Sequence, residues 1–219
     1  MSVLRSFQKQ MIGAGAMGVV ALAAASYASA GSILLDGFGD LPTVAVGDTV
    51  GPYPVLDTDL SNSMATVSVS GSIDSGITPV PGAAALSTGA TGDAMFVFSY
   101  TFDSVDLTLV NLLMIDIDAV GTSVVDLGFD IVLTDGGGLQ GTFTDMFSGD
   151  NASLSFFLSA FTFAPGFDVT DVVGLDLTIN TSAGDDFFID TFKGVIVPTP
   201  TAAGFGLLGL SCLVFRRRG

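Results

Sequence analysis

Between residues 125 and 133 the chain alternates with a period of two: Val125, Leu127, Phe129, Ile131 and Leu133 are apolar, and Asp126, Gly128 and Asp130 stand between them. Alternation of this kind puts one face of a strand on a core and the other in water. Strand patterns also fall at 32–35, 65–70, 94–102, 112–119, 139–143, 153–163, 174–179 and 186–197, with the alternating strand itself spanning 124–133. Asp135-Gly136-Gly137-Gly138 supplies the positive-φ residues of a hairpin. Residues 41–63 carry Pro42, Pro52 and Pro54 and read as irregular. Residues 71–93, rich in Gly, Ser, Pro and Ala, read as a long, flexible surface loop. The pattern therefore predicts an all-β body with its ordered heart at 94–197.

One pattern occurs twice. Asp106-Leu107-Thr108-Leu109-Val110 leads into Leu113, Ile115 and Ile117, and Asp168-Val169-Thr170-Asp171-Val172 leads into Leu175, Leu177 and Ile179. Each copy reads as an Asp/Thr-capped turn that delivers a strand with alternating inward side chains. Two copies are too few for a repeat array.

The ends have another pattern. Arg5 and Lys9 precede an apolar stretch at 11–25, and Ala28-Ser29-Ala30 offers the small residues of a cleavage site. These are the parts of a signal peptide, expected as a helix at 1–30 and removed so that the mature chain starts at Gly31. At the other end Pro198-Thr199-Pro200 is followed by an apolar run at 202–215 and then by Arg216, Arg217 and Arg218. As a short helix that run reaches about 21 Å against the ~30 Å of a bilayer core. It is expected to engage the inner membrane transiently, with the arginines held on the cytoplasmic side.

This Pro-x-Pro, apolar run and arginine cluster, at 197–219, resembles the PEP-CTERM sorting signal, with Thr199 where the family has Glu. The resemblance implies an exported protein of the Gram-negative cell envelope, an exosortase-like processing enzyme as partner, and an association with exopolysaccharide.

Composition narrows the chemistry. All 22 acidic residues are aspartates lying between the two ends, and Lys193 is the one basic residue among them, a body charge of −21. Aspartate favours turns, which agrees with strands joined by Asp/Gly loops. Such a charge repels nucleic acid and draws divalent cations. The chain has no His, and its one cysteine, Cys212, lies in the tail. Ser-His-Asp and Cys-His catalysis, His-ligated zinc and internal disulfides are excluded.

The body, 31–196, also resembles jelly-roll β-sandwiches of the galactose-binding and carbohydrate-binding-module type. Leu35-Asp36-Gly37-Phe38 and Phe188-Ile189-Asp190-Thr191-Phe192 carry that likeness on an early and the last strand. It implies a structural Ca2+ held by Asp36 and Asp190. Asp190, in step with Phe188 and Phe192, is expected to be partly buried. Other acidic patterns carry less. Asp57-x-Asp59 lacks the Gly and closing Glu of an EF-hand. Asp74-Ser75-Gly76 matches the aspartic-protease tripeptide but has no second copy. Asp116 and Asp118 share a strand face, and Asp185-Asp186 sits at a strand end.

These features lead to the expectation of a non-enzymatic surface or matrix protein whose polyanionic body is cross-linked through divalent cations to acidic polymers. The alternative is a lectin-like carbohydrate-binding module, although the chain has no Trp for a stacking platform and the body has only Tyr53 and Tyr100. A glycosidase using a carboxylate pair stands third.

Overall fold

The computed structural model describes residues 31–119, 125–149 and 151–196. Ala28 and Ala30, the sorting residues Pro198, Thr199, Pro200, Arg216, Arg217 and Arg218, and both expected terminal helices lie outside the described residues. Gly31–Ile196 forms one compact unit.

Two antiparallel sheets of seven strands make the body, a jelly-roll-type β-sandwich as expected. The first sheet contains β1 (Gly31–Asp36), β2 (Val44–Ala45), β5 (Gly76–Val80), β6 (Ala83–Ser87), β8 (Leu112–Ala119), β11 (Asn151–Phe157) and β14 (Asp186–Ile196). Its order is β11-β8-β14-β6-β5-β2, and β1 pairs with the second half of β14 on the edge whose first half pairs with β6. The second sheet runs β12-β10-β9-β13-β7-β4-β3. Its strands are β3 (Thr49–Pro54), β4 (Met64–Gly71), β7 (Ala94–Val105), β9 (Val125–Asp135), β10 (Gln140–Gly149), β12 (Thr162–Phe163) and β13 (Val172–Thr181).

One core fills the space between the sheets, built from the inward positions of both. Phenylalanine supplies its bulk. Phe96 meets Phe187 edge-on across the sandwich at 6.4 Å, and Phe98 meets Phe38 at 5.6 Å. Burial of each such ring is worth roughly 1.5–3 kcal/mol, and the edge-on geometry adds to it. The alternation read at 125–133 is fully realised: Val125, Leu127, Phe129, Ile131 and Leu133 are all buried.

Two expectations need correction. Residues 71–93 are not a loop. They hold the β5–β6 hairpin, in which β6 pairs with β14 near the middle of the first sheet. The small residues that suggested a loop are packing residues: Ala83 and Ala84 are buried alongside Ile77 and Leu86, and a buried Ser75 hydroxyl accepts the Gly89 N–H. Residues 153–163 are not one strand either. β11 ends at Phe157, a 3-10 turn spans Leu158–Ala160, and the chain crosses to the second sheet as β12. Gly71 closes β4 at φ +119°, where an added Cβ would lie 2.3 Å from the Asp93 carbonyl oxygen. Gly71→Ala is therefore expected to lower stability by about 1–3 kcal/mol, read as a reduced midpoint in urea denaturation.

Candidate functional site

Asp36 and Asp190 do not face each other. A register irregularity between Leu34 and Asp36 breaks the alternation of β1, so Leu35 and Asp36 are both buried. Asp36 is 1% exposed. Its Oδ1 accepts the Phe38 N–H (2.6 Å) and its Oδ2 accepts the Tyr100 hydroxyl (2.7 Å). Burial pushes its carboxyl up to about 6, against those two hydrogen bonds, with help from the charges of Asp40 and Asp57.

A second irregularity, between Ile189 and Thr191 in β14, breaks the shared parity expected for residues 188, 190 and 192. Phe192 turns inward, while Asp190 stays exposed on the outer face of the first sheet. Partial desolvation and the charges of Asp118 and Asp116 raise its carboxyl. The two aspartates implied for calcium thus sit in different settings, one inside with both oxygens hydrogen-bonded and one outside. They do not fit a shared ion, and no group of three metal-binding side chains occurs among the described residues. Asp116 is engaged otherwise: it accepts from Ser153, Thr191 and Lys193, the last an ion pair at 3.0 Å.

Three of the other aspartates singled out in the sequence hold backbone amides in place. Asp59 accepts the Leu34 N–H, and Asp57 accepts the Gly37 N–H through its carbonyl. Asp185 accepts the N–H groups of Asp126 and Ser182.

The outer face of the second sheet offers a different arrangement. Strand pairing lines up Met146, Gly128, Asn180, Met95 and Ser70 on five successive strands from β10 to β4. At the ~4.8 Å spacing of neighbouring strands this row is about 19 Å long. The parallel row two residues away is Thr144, Asp130, Thr178, Val97 and Ser68. A cleft of about 380 Å³ opens along the first row, with Asp93, Asp126 and Ser182 also in its wall.

Its shape follows from side-chain size. Gly128 has no side chain and forms a low floor, while Met146 (80% exposed) and Met95 (40%) rise on either side. The polar groups are held in place by each other. Asp130 accepts from Thr144 Oγ1 (2.8 Å) through one oxygen and from Asn180 Nδ2 (3.2 Å) through the other. Strand-borne donors and acceptors held this way are preorganised, and the methionines give flexible apolar contact beside them. The surface suits a ligand with many hydroxyl groups and apolar C–H faces.

Sequence reading found the water-facing side of β9, with Asp126, Gly128 and Asp130, but not the site. Asn180, Thr144, Met95 and Met146 join it only through long-range register. The three aspartates pushed toward the protonated form, Asp36, Asp185 and Asp190, do not line the cleft.

No protein-family model matches this chain, and no curated protein matches it. Solved structures do. The chain is similar to the family 11 carbohydrate-binding module from Clostridium thermocellum, solved in complex with a β-1,3-1,4-mixed-linked tetrasaccharide, at 16% identity over 76% of this chain and 96% of that one, TM-score 0.44. A solution structure of a family 11 module gives 17% identity over 78% of this chain and 98% of that one, TM-score 0.45. An agarase structure matches at 12% identity over 57% of this chain but 22% of its own, TM-score 0.40. The architecture rests on the chain's own two antiparallel seven-stranded sheets, a jelly-roll-type β-sandwich.

Proposed function

We propose that the body is a non-catalytic polysaccharide-binding module, carried by an exported protein of the cell envelope, and that it binds neutral glycan chains along the Gly128–Asn180 cleft. The observation that carries this reading is the fixed polar group Asp130–Thr144–Asn180 beside a Gly-floored cleft between two methionines. Sugar hydroxyls donate to the carboxylate and accept from the amide and hydroxyl, while their C–H faces rest on the methionine thioethers. With Asp93, Asp126 and Asp130 at the cleft, and Lys193 on the other sheet, acidic polymers are repelled.

Affinity electrophoresis in gels containing neutral β-glucans, galactans and mannans tests the reading. At least one polymer is expected to retard the protein, with a chelator making no difference. Gly128→Ala raises the floor by one methyl in ordinary contact, 3.5 Å from the Asn180 Cβ, and is expected to weaken retardation at unchanged melting temperature. Asn180→Ala is expected to weaken binding about tenfold, the loss of one to two well-placed hydrogen bonds. Retardation by none of the neutral polymers overturns the reading, and so does binding confined to acidic polymers in the presence of calcium.

A further inference from the structure

The two copies of the Asp/Thr-capped turn meet in space. Asp106 Oδ1 accepts the Thr108 N–H, and Asp168 Oδ1 accepts the N–H and hydroxyl of Thr170. The turns are joined by the Leu107 N–H to the Val169 carbonyl at 3.0 Å. Between them and the chain that crosses from β11 to β13 opens a second cleft, of about 430 Å³. Its wall is apolar: Leu107, Val110, Leu158, Phe163, Phe167 and Val169. Exposed apolar side chains continue outward from it, Leu109 (70% exposed) on one turn and Phe157 (55%) at the end of β11. The polysaccharide reading uses none of these residues.

The cleft lies at the end of the sandwich where the body begins and ends. Gly31 pairs with Ile196, the Asn111 N–H donates to the Val195 carbonyl, and Leu112 pairs with both Val195 and Phe157. Five residues, 197–201, separate the last strand from the apolar run at 202–215. Fully extended, they reach about 17 Å. β14, at 11 residues, is about 36 Å long. Residues 197–201 are therefore too few to span the length of the sandwich.

We infer that this apolar end is a lipid-contacting surface, with Leu109 and Phe157 entering the headgroup boundary of a zwitterionic membrane. Buried apolar area drives such interfacial contact. The carboxylates of Asp106 and Asp168, which cap the two turns, match the ammonium groups of ethanolamine or choline lipids and are repelled by anionic lipids. Asn180 is eight residues along β13 from Val172, about 26 Å away. The Gly128–Asn180 cleft is thereby held clear of the lipid, open to polymer.

The test uses the full chain, with Cys212→Ser, reconstituted in phosphatidylethanolamine–phosphatidylcholine vesicles that carry a nitroxide-labelled lipid. A polarity-sensitive fluorophore is placed at Leu109→Cys, Phe157→Cys or, as the far-end control, Met146→Cys; all three positions are exposed, so the label leaves the core intact. The labels at 109 and 157 are expected to be quenched at least threefold more than the label at 146. Equal quenching at the three positions overturns the inference. Shielding of 109 and 157 that rises with protein concentration, without nitroxide quenching, also overturns it and assigns the surface to a second copy of the chain. Partial replacement by phosphatidylglycerol is expected to reduce the quenching, and an increase would overturn the zwitterionic assignment.

Discussion

Phe187→Ala is expected to remove about 3–5 kcal/mol of stability, the usual cost of emptying a buried phenylalanine site. Phe187 is fully buried at the start of β14, flanked by Leu86 on β6 and Ala119 on β8. Its ring reaches across the sandwich to Phe96. Small neighbours on the same sheet, Ala84 and Ala119, have no reach to close the space left behind. Against the usual roughly 5–15 kcal/mol of domain stability, that loss is between about a fifth and all of it. Phe188→Ala is the control. That ring points out of the other face of the same strand and is half-buried, so its loss is expected to cost about 1 kcal/mol or less. Urea denaturation with an unchanged slope and a lower midpoint for Phe187→Ala alone is the predicted result. Equal costs for the two variants would mean that the alternation of β14 at this point is wrong.

That pair also marks what could be seen in the sequence. Period-two patterning identified the buried face of β9 correctly because that strand is regular from end to end. It failed on β14 because one irregularity, between Ile189 and Thr191, exchanges inside for outside. Asp190 was expected to share a face with Phe188 and Phe192, and no local signal announced the break. The same device in β1 buries Asp36 beside Leu35. Residues 71–93 were misread for a different reason. Ala, Gly and Ser are poor strand formers in isolation, but packing under a Phe-rich sheet favours small side chains. The echo of Asp106–Val110 and Asp168–Val172 was legible as local turn chemistry, yet the cleft it builds depends on a contact between the two copies. The polysaccharide cleft was least legible of all. Its parts come from β10, β9, β13, β7 and β4, and its apolar contacts are methionines rather than the aromatic platforms that draw attention in a sugar-binding sequence.

Asp36→Asn is expected to reverse in effect with pH, and this reversal reports on the buried group that ties the sheets together. Asp36 on β1 accepts from Tyr100 on β7, and burial raises its carboxyl from 3.8 to about 6. The Tyr53 hydroxyl, on β3, is buried with no hydrogen-bond partner among the described residues. Burial first, and then the charges of Asp36 and Asp40, push the Tyr53 phenol up, and the Tyr100 phenol rises for related reasons. Below about pH 6 the neutral carboxylic acid is therefore the form the folded chain prefers. Between about pH 4 and pH 6 the folded state holds a proton that the unfolded state has released, so stability falls as pH rises through that window. The stabilising effect is complete below about pH 4 and gone above pH 6. Its size is about 3 kcal/mol. The asparagine keeps the volume and the acceptor for the Phe38 N–H but carries no charge, so it does not lose stability in this window. Wild type and variant are compared at each pH, which cancels the titration of the other 21 aspartates. At pH 4 the wild type is expected to match or exceed the variant in urea denaturation; at pH 7 the variant is expected to be the more stable by up to about 3 kcal/mol. A difference that stays constant from pH 4 to pH 7 would mean that Asp36 is ionised throughout. In that case Tyr100 and the Phe38 amide hold a charge in the core, and the buried group is an anion site rather than a neutral one.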